Sequence, residues 1–165
     1  MKVNGLKTDF AAVRTEGTQI VIGYGLNQVE GDLYEWHEVT LNKTSTNALT
    51  IDIVKTAILG DINSRVKTAI ISGFVWNEKP VWLSEENQLN FSQAVVPATL
   101  KIGEHQDGTP IYETFDTKTD LKAFNEACTL WKQQCLSEGY NEKDAIDWTP
   151  YEQLFPEPAK TETTE

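Results

Sequence analysis

The spacing of apolar and polar positions changes along the chain and separates a β-rich beginning from a mixed remainder. Up to about Lys43, apolar residues come in β-branched and aromatic clusters. Residues 18–25 (TQIVIGYG) predict a strand, Gly31-Asp32 a turn, and residues 33–41 (LYEWHEVTL) a second strand. In the second strand Leu33, Glu35, His37, Val39 and Leu41 fall on one side, and Tyr34, Trp36, Glu38 and Thr40 on the other. Neither side is uniformly apolar, which predicts an edge strand or one that meets a partner.

From residue 49 to residue 72 the period lengthens. Val54, Ile58, Ile62, Val66 and Ile70 recur every four residues, while Asp61, Arg65 and Lys67 lie off that row, as expected of an amphipathic helix. Gly60 weakens it in the middle, and Gly73 is expected to stop it as a C′ residue. A hairpin should follow, with Phe74, Val75 and Trp76 on one arm, Val81, Trp82 and Leu83 on the other, and Asn77-Glu78-Lys79-Pro80 as the turn. Ser84 is placed to cap a short helix that begins with Glu85 and Glu86 and runs through Asn87, Leu89 and Phe91.

A second hairpin is predicted from residues 99–104 and 109–115, around a loop containing Asp107-Gly108. Thr117 and Asp120 then form a capping-box-like start to a long helix that Gly139 should close. Its apolar positions Leu121, Phe124, Cys128, Trp131 and Cys135 are spaced three, four, three and four residues apart. Two heptads are short for a coiled coil, so this row is read as core.

The fold class expected is therefore α+β: a β-rich N-terminal part followed by a helix–hairpin–helix–hairpin–helix domain. The expected division is a β-rich docking region at 1–48, an α+β domain at 49–155 and a disordered acidic tail at 156–165. That tail, PEPAKTETTE, has two prolines and no large apolar side chain to bury.

Composition narrows the classes of partner. Fourteen basic residues against 25 acidic ones give a formal net charge of -11 over 165 residues. Such a surface repels phosphate backbones and anionic lipid, so neither nucleic acid nor membrane is expected as a partner. Apolar runs such as residues 57–59 fall far short of the about 20 residues of a membrane span. The start of the chain, MKVNGLKTDF, lacks the apolar block of a secretory signal and points to the cytoplasm of the cell that makes it. Cys128 and Cys135 lie seven residues apart on one predicted helix, about 10 Å along its axis, too far to bridge; they are read as reduced and buried. Without a secretion signal the matches at Asn42-Lys43-Thr44 and Asn90-Phe91-Ser92 carry no glycosylation message.

No catalytic chemistry emerges. His37 and His105 are distant from each other and the cysteines form no C-x-x-C, so no metal site is assigned. The acidic stretch around Asp107 is better read as a hairpin loop than as a calcium loop. Gly23, Gly25 and Gly31 do not meet G-x-G-x-x-G and are read as turn markers, and no G-x-S-x-G occurs. No catalytic residue and no cofactor is assigned, and the chain is not expected to be an enzyme. What stands out is the aromatic set: Tyr34 and Trp36 on the second strand, and Trp76 and Trp82, expected to face each other across the first hairpin. These four are the candidate interface or ligand contacts. A core position is favoured for Trp76 and Trp82; for Trp36, core and contact stand level.

Residues 53–148 resemble an uncharacterised domain of tail-associated proteins from bacteriophages and prophages, including those of gut Bacteroides hosts. The likeness lies in a helix running into GFVWN (residues 73–77), then VWLSEENQLNF (81–91), and finally EGYNEKDAIDW (138–148). Glu78 departs from it, because similar sequences have glycine there. The resemblance implies a virion structural or assembly protein of the tail, tail fibre or baseplate. Its partners would be other virion proteins and further copies of itself, and it would be made in the host bacterial cytoplasm and located in the virion. A different class remains open: a receptor- or carbohydrate-binding module using Tyr34, Trp36 or the Trp76/Trp82 hairpin. A third is a fibre-assembly chaperone missing from mature particles.

Overall fold

The computed structural model of the chain describes residues 1–43 and 48–156. The acidic tail expected at 156–165 lies, from residue 157 on, outside the described residues, as does Thr44. The fold is mixed, 44% helical and 33% strand, with a β-rich N-terminal part followed by helices. In chain order the elements are β1 (Lys2–Leu6), β2 (Val13–Glu16), β3 (Gln19–Glu30), β4 (Leu33–Asn42), α1 (Ile51–Ser72), β5 (Phe74–Trp76), β6 (Lys79–Val81), α2 (Glu85–Gln93), β7 (Ala98–Glu104), β8 (Pro110–Phe115), α3 (Lys118–Asp144) and α4 (Thr149–Leu154).

These elements make two compact units, one of residues 1–62 with those from 142 onward, the other of residues 63–141. The division thus falls inside α1 and α3 and not at residue 48. The reason lies in the apolar row of α1: Ile51, Val54, Ile58 and Ile62 are all buried in the first unit, so that unit needs the first half of the helix.

In the first unit four antiparallel strands are ordered β1-β4-β3-β2. β4 lies between β1 and β3, so of the two expectations from its mixed faces, an edge strand or one that meets a partner, the edge position does not hold. The mixture has another cause, which is that residues of both faces have partners. On one, Tyr24 stacks on its cross-strand partner His37, ring centroids 5.5 Å apart, and donates its hydroxyl to Asp61 Oδ2 at 2.5 Å. Asp61, off the apolar row of α1, is thereby its polar anchor on the sheet. α4 was not foreseen from the sequence. It buries Tyr151, whose hydroxyl donates to the Gly23 carbonyl at 2.5 Å and is pushed up to about 12 by burial.

The second unit is organised around one ring. Phe124 of α3 is fully buried, and Phe115, Phe91, Trp76 and Phe74 surround it at centroid distances of 5.0, 5.1, 5.4 and 6.5 Å. Each such pair adds about 0.5–1.5 kcal/mol beyond the area buried. The row expected to be core is core: Leu121 and Cys128 are buried in the same cluster, and Cys135 is buried further along α3. Trp131 is half-buried and donates its indole N–H to the Ala69 carbonyl at 3.1 Å.

Gly73 directly follows α1, which ends at Ser72 as expected, whereas Gly139 does something other than what its position suggested. Gly139 lies inside α3, which runs on to Asp144, and is not its stop. A Cβ there would come within 2.4 Å of Val66 Cγ2, so glycine is required for α3 to approach α1 so closely. A Cβ on Gly73 would meet the Ala69 carbonyl oxygen at 2.6 Å and the Trp131 ring at 2.7 Å. Gly73 is small because the Trp131 ring needs the space.

The β5–β6 turn is two residues, shorter than expected, because Lys79 and Pro80 already pair with Trp76 and Val75. Asn77 and Glu78 take φ of 47° and 63°, the left-handed values of a type I′ turn. Asparagine tolerates that conformation readily, whereas glutamate holds it under strain that glycine would not feel. Glu78→Gly should therefore stabilise the protein by about 0.5–1 kcal/mol, read as a raised urea midpoint with an unchanged slope.

Candidate functional site

The four aromatic candidates have four different environments. Trp36 is 3% exposed, which settles its position as core. It packs edge-on against Phe10, centroids 6.0 Å apart, and donates its indole N–H to Glu38 Oε1 at 2.9 Å. Glu38, also buried, is held from the other side by Arg14, at 2.6 Å from Nη1 and 3.0 Å from Nη2. Cross-strand register explains the grouping: Arg14 pairs with Val21, and Trp36 and Glu38 are two residues apart on the neighbouring strand. The Arg14 hydrogen bonds hold the Glu38 carboxyl below the usual Glu value of 4.5, and Glu38 in turn raises the Arg14 guanidinium. Trp36 and Glu38 are buried and Arg14 is partly exposed, and the hydrogen bonds that join them hold β2 to β4 across the sheet.

Tyr34 is half-buried, with Lys7 Nζ over its ring at 6.0 Å from the centroid. Trp76 is half-buried against Phe124. The geometry does not bring Trp76 and Trp82 face to face: Trp76 pairs with Lys79, whereas Trp82 lies beyond β6 and donates its backbone N–H to Ile102 of β7 at 2.8 Å. Trp82 alone of the four is exposed, at 40%. Near the first hairpin, Glu113 of β8 accepts hydrogen bonds from Lys79 Nζ and, at 3.1 Å, from Asn77 Nδ2. Burial would raise its carboxyl, but these bonds outweigh burial and the net displacement is downward.

Two surface features of the second unit were not visible as such in the sequence. An apolar groove of about 770 Å³ lies between α3 and the segment joining α2 to β7. Ala94, Val95, Val96, Leu121 and Leu130 line it, with Lys118, Lys122 and Glu126 among its polar residues. Val95 is 80% and Leu130 65% exposed. Leu130 lies off the buried row of α3, and that break in the pattern was the available signal. On the other side of the α2–β7 connection a cleft of about 810 Å³ runs between α2 and β7, with Trp82 in its lining.

Among the described residues no group of three or more His, Cys, Asp or Glu is placed to hold a metal ion. No helix among them is long and apolar enough to cross a membrane. Cys128 and Cys135 are buried free thiols, and burial pushes Cys128 up to about 12 and Cys135 upward as well.

Because Glu38 and Glu113 are depressed in the folded chain, their contribution to stability is present above their unfolded value of 4.5 and is lost as pH falls through the lower folded values. Glu38→Gln should cost about 1–3 kcal/mol at neutral pH, since it removes the charge that Arg14 pairs with and sets an amide N–H donor where one of the two accepting oxygens was. In urea titrations from neutral pH downward, the gap between the two proteins should close below about pH 4. A gap that stays constant across that range would contradict the assignment.

Comparison with protein-family models, with curated proteins and with solved structures finds no match to this chain.

Proposed function

We propose that this protein is a bacteriophage virion structural or assembly component, associated with the tail or baseplate, that works through protein contacts and carries no catalytic centre. On this reading the helix–hairpin–helix–hairpin–helix stretch is the part shared with tail-associated domains, and the β-rich strands before it dock on another virion protein. The observation that carries the reading is the apolar groove beside α3. Val95 and Leu130 expose most of their surface there, next to Leu121 and Ala94, although both could be polar without cost to the Phe124 core. Exposed apolar surface of this kind is what a protein interface needs before it closes. A net charge of -11 supports proteins over nucleic acid or anionic membrane as partners. Copies of this chain, arranged with closed symmetry, are the partner expected at the groove. The protein would be made in the host cytoplasm and end in the virion.

Light scattering over a dilution series should report a multimer, and Leu130→Asp should lower its mass toward the monomer while leaving the circular dichroism spectrum unchanged. Peptide mapping of intact particles from a phage that encodes this chain should recover it in a fixed ratio to the other tail proteins. Peptides found only in infected-cell lysate, and never in intact particles, would overturn the structural reading in favour of an assembly chaperone.

A further inference from the structure

The cleft between α2 and β7 is built differently from the apolar groove. Trp82 sits between Val81 and Leu83, which are 0% and 1% exposed, so strand alternation turns its indole outward. Both of its backbone polar groups are held: the N–H donates to the Ile102 carbonyl at 2.8 Å, and the carbonyl accepts from Asn87 Nδ2 at 2.9 Å. The next residues are fixed as well, since Leu83 donates to the Ile71 carbonyl and Ser84 caps α2 by accepting from the Asn87 N–H. The result is an aromatic platform on a rigid backbone that folding itself does not require to be aromatic.

What faces the cleft from α2 is polar in a regular way. Glu86, Asn90 and Gln93 are spaced four and three residues apart, which places a carboxylate and two amides in line on one face of the helix, and all three line the cleft. From β7, Thr99 and Lys101 contribute, two residues apart on one side of the strand, with Lys101 paired to Glu104. The cleft, at about 810 Å³, falls within the about 300–1,000 Å³ of small-molecule sites.

We propose that this cleft binds an uncharged saccharide. One face of a pyranose, with its axial C–H groups, stacks on Trp82, and neighbouring hydroxyls bridge the donor and acceptor atoms of Asn90, Gln93 and Glu86. A neutral sugar is preferred over an acidic one on this reading, because two carboxylates, Glu86 and Glu104, line the cleft against the single cation Lys101. The cleft shares Ala94 and Val95 with the apolar groove, but Leu130, the position that tests the assembly reading, does not line it.

The test uses full-length protein labelled with ¹⁵N in tryptophan, titrated with cellotriose, chitotriose, mannotriose and, as the acidic counterpart, trigalacturonate. At least one neutral trisaccharide should shift the Trp82 indole N–H saturably at sugar concentrations up to about 10 mM. Trigalacturonate should leave it in place. Trp82→Ala should weaken binding, followed on backbone amides of α2 and β7, by about tenfold or more. Asn90→Ala, which removes only an exposed side chain, should weaken it with the spectrum otherwise unchanged, and Leu130→Asp should bind as the parent does. No saturable shift with any neutral trisaccharide would overturn the proposal. So would equal binding of trigalacturonate, or affinity undiminished in Trp82→Ala.

Discussion

The second unit depends on the burial of a single side chain, Phe124. Its ring lies on α3, and what it touches comes from everywhere else in that unit: Phe74 and Trp76 from the first hairpin, Phe91 from α2 and Phe115 from the second hairpin. Isolated two-stranded hairpins are marginal in water. Here each hairpin gains its stability by placing an aromatic against the same ring, so strands that would not persist alone are held as one body. Hydrogen bonds then set the register of the parts, from Trp82 to Ile102 and from Leu83 to Ile71.

Within residues 73–91 the positions that pack and the positions that face outward are therefore different ones. Phe74, Trp76, Val81, Leu83 and Phe91 face inward and are constrained by packing. What remains free to vary is what that packing leaves outside: Trp82 on one side of the α2–β7 connection, Val95 and Leu130 on the other. Function read from this fold therefore belongs to residues that the core does not need. The Trp36–Glu38–Arg14 group teaches the same lesson in reverse, because an aromatic beside two charges resembled a contact site and is a network that holds β2 to β4.

Much of the architecture was legible in periodicity. The four-residue row of α1 and the buried row of α3 gave the helices, and Ser84 marked the start of α2, where its hydroxyl accepts the Asn87 N–H at 3.2 Å. Alternation failed on β4, because residues of both its faces have partners, Trp36 packing on Phe10 on one and His37 stacking on Tyr24 on the other, so neither side reads as purely apolar. Gly139 misled for a related reason: it makes room for Val66, a neighbour distant in the chain, and sequence spacing holds no trace of that contact, nor of the Trp131 ring that Gly73 admits where α1 ends. α4 escaped notice because only Tyr151 of its six residues is buried. The exposed sites were hardest to see, since an outward-facing Leu130 or Trp82 differs from a core residue only by its place relative to a row.

Native-state hydrogen exchange tests the dependence on Phe124 most directly. If one ring holds both hairpins, the slowest amides of β5 to β8 and of α3 around Phe124 should open with a common free energy and a common denaturant dependence, and Phe124→Leu should lower all of them by the same amount. Hairpin amides that exchange through separate, smaller openings while α3 stays protected, and that do not respond to Phe124→Leu, would contradict the account.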